Sequence, residues 1–281
     1  MSSRRVNRVV VVVLDGLRPD AIAEFDLRHV ARLCAEGAHT LAGQTVQPSV
    51  TNCAMASLYT GAPPEVHGML SDAIAIPIPR GPVHPIPAVL ERHGLPSAVH
   101  MARIPFAFRG IAKRIARMLG VEDAGMTGDN AAGILDGARG ALLEHRRGFI
   151  LTHWPDADRA GHKYGWMSPQ YGDATRRLDE ALGELIALLD LPNDPDTLLI
   201  AVADHGGGGA KRKDHNSSHP LDRTIPIIFA GGAVVAGPLS GPVSLLDIPA
   251  TVLWALGIPR PESYVGNVIT QAFVRVEQAA A

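Results

Sequence analysis

The chain has 281 residues, 46% hydrophobic and 19% charged, with a formal net charge of -2. That balance excludes a disordered chain and leaves room for one large α/β domain over residues 1–281. Near-neutral charge argues against a nucleic-acid polymer or a membrane surface as partner, because both usually select a basic excess. The two cysteines, Cys34 and Cys53, exclude a disulfide framework and a cysteine zinc site.

A basic start from Met1 to Arg8 precedes the apolar run Val9-Val10-Val11-Val12-Val13-Leu14. Asp15 stops that run before it reaches the length of a signal h-region, and far short of a membrane span. The expectation is a cytoplasmic chain. The run itself predicts a buried strand over 8–14 that ends in Asp15-Gly16. Helical spacing follows over 27–36. The loop Gln47-Pro48-Ser49-Val50 then leads into Thr51-Asn52 and a helix over 52–59. Thr51 therefore sits at or near a helix N-terminus, where backbone N–H groups and the helix dipole favour an anion. A plain N-cap is the competing reading of that hydroxyl.

Further along, helices are predicted over 86–93, 130–144, 170–190 and 245–256, and strands over 97–101, 148–153, 197–203 and 225–230. The segment Ile104 to Leu119 reads as a basic amphipathic helix. It lies within residues 70–130, which are read as a cap or lid insertion over the site. Strands alternating with helices predict a three-layer α/β/α sandwich with a mostly parallel central sheet.

The chemistry-bearing residues fall at strand ends or just after them. Asp158 and His162 are spaced i, i+4, which on a helical turn puts both on one face, close enough to share a cation. Asp156 lies beside them and stays open as an alternative. The strand over 197–203 runs into Asp204-His205, and Gly206-Gly207-Gly208-Gly209 ends it. His215 and His219 follow in a polar loop. Ligands at the carboxyl ends of strands are where open α/β sheets hold their substrates.

These motifs resemble the alkaline phosphatase superfamily. The resemblance rests on Leu14-Asp15-Gly16, Thr51-Asn52 with Thr60-Gly61 and His67-Gly68, Asp158-Arg-Ala-Gly-His162, Asp204-His205-Gly206 with Thr224-Ile225-Pro226, and Val243 to Pro259. The chain looks most similar to the type I phosphodiesterase/nucleotide pyrophosphatase branch. The resemblance implies two divalent metals, zinc by preference, with manganese or iron also suited to such ligands. Asp158, His162 and His215 would hold one. Asp15, Asp204 and His205 would hold the other, with Thr51 facing both. The family's third histidine stands about ten residues before its Ile-Pro, which selects His215 over His219.

The resemblance also implies that Thr51 is the nucleophile and forms a phospho-threonine intermediate. Asn52 would support a non-bridging oxygen or serve as a structural cap. Two cations roughly 4 Å apart suit an in-line displacement. The expected substrate is small and phosphorylated, a phosphodiester or nucleotide pyrophosphate, with a phosphomonoester or phosphonate as the alternative. A non-catalytic metal- or anion-binding protein is the third reading. Arg103, Arg109 and Lys211-Arg212-Lys213 are candidate phosphate cations, and Phe106, Phe108, Trp154 and Tyr164 candidate nucleotide contacts. The sequence carries no signal for oligomeric state.

Overall fold

The computed structural model describes residues 5–72 and 78–273. Residues 73–77, inside the expected cap, and both chain ends lie outside the described residues. In chain order the elements are β1 (Arg8–Leu14), α1 (Ala21–Glu24), α2 (Arg28–Glu36), β2 (Ala38–Gln44), α3 (Thr51–Thr60), α4 (Pro64–His67), α5 (Ile86–Arg92), β3 (Ser97–Ala102), α6 (Phe106–Met118), β4 (Asp123–Gly128), α7 (Ala131–Glu144), β5 (Gly148–Trp154), α8 (Asp156–Tyr164), α9 (Pro169–Leu189), β6 (Thr197–Val202), α10 (Pro220–Arg223), β7 (Thr224–Ala230), β8 (Gly237–Pro238) and α11 (Asp247–Ala255).

Among the described residues the strands form one eight-stranded sheet in the order β4-β3-β5-β1-β6-β7-β2-β8. Strand β1 lies between β5 and β6 and pairs with both in parallel. All three are buried along their whole length, so all three read as continuous apolar runs. Only β7 runs against its neighbours, antiparallel to β6 and β2. Helices α2, α7, α8 and α9 pack on one another as one layer, and α3 packs with α4, α5 and α11 as the other. The result is the expected three-layer α/β/α sandwich. Arg8, buried where β1 begins, ties the sheet's far edge together. Its guanidinium donates to Thr197 Oγ1 at 3.0 Å and Leu142 O at 2.7 Å, and pairs with Asp194 at 3.2 Å.

Three strands depart from the sequence expectation: β2, β4 and the two-residue β8. Strand β2 is half exposed and broken by a register shift between Thr40 and Gly43, so it lacks an apolar run. Strand β4 is an edge strand of small residues. A Cβ at its Gly125 would lie 2.0 Å from His100 Nδ1, so the position cannot carry the side chain that would mark a strand. Because β3 and β4 both belong to the central sheet, residues 70–130 do not form one inserted cap. Among the described residues of that segment, those of α6 include no buried one. No helix among the described residues is long and apolar enough to cross a membrane.

Candidate metal centre

The site stands on the carboxyl ends of three adjacent parallel strands. Asp15 follows β1 directly, and its N–H donates to Trp154 O, the last residue of β5. Asp204 follows β6. Gly16 turns the chain between them, with φ +71°, and its N–H donates to Asp204 Oδ1 at 3.2 Å. A Cβ there would sit 2.8 Å from Asp158 Cα. Glycine is therefore required twice over, for its left-handed backbone and for the close approach of α8. Asp158 N–H closes that contact by donating to Asp15 O at 2.9 Å.

Helix α8 places Asp158 and His162 on one face, as the i, i+4 spacing predicts, with His162 Nε2 3.3 Å from Asp158 Oδ1. His215 arrives from the loop after β6. Its Nε2 lies 3.7 Å from the same carboxylate oxygen and 3.1 Å from His162 Nε2. The other nitrogen of each ring is tied to a carbonyl: His162 Nδ1 donates to Lys213 O at 3.0 Å and His215 Nδ1 to Ser49 O at 2.6 Å. A carbonyl cannot donate, so these bonds fix the proton on Nδ1 and leave Nε2 free to ligate. Two such lone pairs at 3.1 Å repel each other unless a metal ion, or a second proton on one ring, lies between them.

His205 follows the same rule. Its Nδ1 donates to Gly206 O at 2.8 Å, and its Nε2 lies 3.4 Å from Asp15 Oδ1 and 3.6 Å from Asp204 Oδ2. The His205 and His215 rings stack, with centroids 3.7 Å apart and planes 6° from parallel. Thr51, the first residue of α3, places its Oγ1 3.1 Å from His205 Nε2. The hydroxyl thus lies beside the ligand set at a helix start. Trp166 walls the site edge-on to His162 and His215 and anchors its indole N–H on Gly16 O at 3.0 Å.

The donor atoms suit divalent cations. Asp158, His162 and His215 cluster as one potential ligand group, and Asp15 with His205 and Asp158 as another. Asp15 Oδ1, Asp158 Oδ1 and Asp204 Oδ2 are buried without a hydrogen-bond partner. Buried carboxylate oxygens left without a hydrogen bond are costly unless a cation completes them. Burial, and then the charges of Asp204 and Asp158, push the Asp15 carboxyl well above the usual carboxylate range. Burial pulls against charge on His205, but the Asp204 and Asp158 carboxylates outweigh it and hold that imidazole above its ordinary value. His215 is pushed down by burial and by the adjacent His205.

The other sequence candidates fall elsewhere. His219 caps α10, accepting from Leu221 N–H at 3.1 Å. Asp156 accepts from Ala131 N–H at the start of α7. Trp154 is fully buried and lines no slot. Phe106 and Phe108 lie exposed on α6. Tyr164 is exposed and stacks with Lys163. Arg103 binds Thr127 O, Arg109 binds Ile104 O, and Lys213 binds Lys163 O. Lys211 pairs with Asp214, and Arg212 packs against Gly165.

Asn52 keeps a helix-start position, but its N–H donates to Asp72 Oδ1 at 2.8 Å and its amide reaches Ser71 O at 3.4 Å. Asp72 and His153 are the residues that sequence reasoning missed. His153, near the end of β5, points its Nε2 at Asp15 Oδ2 from 3.4 Å with no hydrogen-bond partner, and forms a third cluster with Asp15 and Asp204. The available signal was a histidine inside an otherwise apolar buried strand. Asp72 lies in a loop and carried none.

Comparison with known proteins places this chain in a family. The sequence profile described as Type I phosphodiesterase / nucleotide pyrophosphatase matches residues 9–78 and 91–240. Human GPI ethanolamine phosphate transferase 2, catalytic subunit, is 25% identical over 94% of this chain, which covers 28% of that protein. The chain spans between 11% and 28% of the ethanolamine phosphate transferases that it matches.

Among solved structures, an inactive murine ectonucleotide pyrophosphatase / phosphodiesterase 5 in complex with AMP superposes with a TM-score of 0.69 at 14% identity, covering 92% of this chain and 96% of that one. A variant of the alkaline phosphatase PafA gives 0.72 at 13% identity, covering 98% and 100%. The fold is alkaline phosphatase-like, and the chain belongs to the type I phosphodiesterase / nucleotide pyrophosphatase family.

Proposed function

We propose that the protein is a two-metal hydrolase that cleaves a phosphodiester or nucleotide pyrophosphate bond through a phospho-threonine at Thr51. One observation carries the reading. Three imidazoles with carbonyl-held Nδ1 atoms turn their Nε2 atoms toward buried carboxylates, beside a hydroxyl at a helix N-terminus. Asp158, His162 and His215 would hold one divalent ion, and Asp15, Asp204 and His205 the other, with Thr51 between them. Zinc suits this Asp/His set best, and manganese and iron also fit it. When bound, the ions lower the pKa of the nucleophile and draw off charge that develops on oxygen.

The chain's own residues then have defined tasks. Thr51 Oγ1 attacks phosphorus, the bond to the leaving oxygen breaks, and water later releases the phosphoryl group from Thr51. The Thr51 backbone N–H, with the Asn52 side chain, donates to a non-bridging oxygen. Asp72 favours a diester over a dianionic monoester. It adds negative charge beside Asn52, while Arg103, Arg109 and Lys213 spend donors on backbone carbonyls.

Turnover of a diester and a monoester with the same leaving group, on protein of measured metal content, tests the reading. Equal or faster monoester turnover points instead to a phosphomonoesterase; C–P cleavage in a phosphonate arm points to a phosphonate hydrolase. The curated relatives named ethanolamine phosphate transferases support a second outcome, in which an alcohol takes the phosphoryl group from Thr51 in place of water. Adding an acceptor alcohol and measuring transferred against hydrolysed product separates the two.

A further inference from the structure

Helix α6 presents two exposed stripes that neither the fold nor the metal centre uses. At 3.6 residues per turn, Phe108, Ile111, Ile115 and Met118 share one flank, and Lys113, Arg114 and Arg117 share the other. The side turned to the protein carries the partly buried Ala112 and Ala116. The apolar stripe is therefore not the packing face: Ile111 is 61% exposed and Met118 76%. Phe106, at the start of the helix, is 85% exposed.

The charge of the segment is one-sided. Arg103, Arg109, Lys113, Arg114 and Arg117 lie between residues 103 and 121, with no acidic residue among them. Among the described residues, Lys113, Arg114 and Arg117 make no ion pair; Arg103 meets Asp129 at 3.6 Å. The near-neutral net charge of the whole chain hides this local excess. A solvated structural helix would not leave four large apolar side chains on its outer flank, and a nucleic-acid helix would not need them.

We propose that α6 is an interfacial helix that docks the protein on an anionic lipid surface. Its apolar stripe would enter the headgroup boundary, and its flanking cations would meet lipid phosphates, the arrangement expected of helices lying in the membrane plane. Its place in the fold gives the docking a consequence. Helix α6 leaves the carboxyl end of β3, which runs parallel to β5 and through it to β1. The lipid would therefore lie along the same sheet edge that carries Asp15 and Asp204. The proposal stands on α6 alone and does not depend on the chemistry at Thr51.

Cosedimentation of the full chain with vesicles tests it. Vesicles of phosphatidylcholine and phosphatidylglycerol in equal parts should retain the protein, and phosphatidylcholine vesicles should not. Each cation near such a surface contributes about fivefold in affinity, so Lys113→Glu with Arg114→Glu should weaken binding at least twentyfold. Ile111→Ser with Ile115→Ser should weaken it comparably, and raised salt should release the wild type. Because no α6 residue is buried, both double variants should keep the wild-type melting temperature and soluble-diester turnover. Equal retention on both vesicle types, or retention unchanged by both variants, overturns the proposal. So does a concentration-dependent dimer that the same variants abolish without any vesicle binding.

Discussion

His162 and His215 turn their Nε2 atoms toward each other at 3.1 Å, while backbone carbonyls of Lys213 and Ser49 hold their Nδ1 protons. Neither ring can relieve the contact by changing tautomer without losing its carbonyl bond. On the two-metal reading a divalent ion relieves it, and His215→Ala should lower metal content by one equivalent per chain. Elemental analysis after dialysis reads the stoichiometry. An ion bound only by the folded state would stabilise it, so chelation should also lower the melting temperature of the wild type, by an amount set by ion concentration over Kd. An unchanged metal count in the variant would remove His215 from the ligand set.

Thr51→Ala should lower diester turnover by roughly three orders of magnitude or more and leave the metal content unchanged. Thr51→Ser should recover part of the rate, because it restores a hydroxyl at the same helix start. Mass spectrometry of quenched wild-type protein should find a phosphorylated peptide containing Thr51. Wild-type turnover in Thr51→Ala would leave metal or anion binding without catalysis at this residue.

Asp72 tests the electrostatics at the start of α3. Its carboxylate accepts the Asn52 N–H that an anionic substrate would otherwise use. Asp72→Asn should lower KM for an anionic diester by up to about fivefold, the range of one exposed charge interaction near a surface. Monoesters, which carry more charge, should gain more than diesters. A rise in KM would instead make Asp72 part of the binding surface.

The pH dependence of the chelated protein follows from Asp15. Burial first, then Asp204 and Asp158, raise its carboxyl pKa, so the folded state holds that proton more tightly than the unfolded chain does. A raised group contributes stability below its unfolded value, about 4 for aspartate, and loses it as pH rises through the folded value. Chelated wild type should therefore lose melting temperature at this group as pH climbs from 4 toward neutrality. Asp15→Asn removes the group and should flatten that fall. Parallel curves for the two proteins would place the titration elsewhere.

Gly16→Ala should destabilise the fold by about 2–4 kcal/mol, combining a left-handed backbone with a clash that α8 must yield to. The same shift moves Asp158 away from Asp15, so metal affinity should fall with it. Thermal melts with and without added zinc separate the two effects. A neutral substitution would mean that α8 approaches Asp15 less closely than 2.9 Å between backbone atoms implies.

The residues that were legible in the sequence are those that repeat a period or end one. Strands β1, β5 and β6 announce themselves because both faces are buried, and Asp15 and Asp204 because they terminate such runs. Asp158 and His162 are legible through helical spacing. Strand β4 was hidden because its Gly125 packs backbone against His100 and its run Asp-Ala-Gly-Met-Thr-Gly has no apolar alternation. His153 was hidden by its own strand, where a ligand-type residue looks like one interruption of an apolar run. Asp72 joins Asn52 only through a tertiary contact, and no local pattern encodes it.

Gly16, Asp158 and the strand ends also make the site a cross-tie. The candidate ligand atoms come from the end of β1, from α8 and from the loop after β6. They face one another only where β6 is seated against β1 and α8 against Asp15. An ion held there would fasten the first strand to a loop far along the chain.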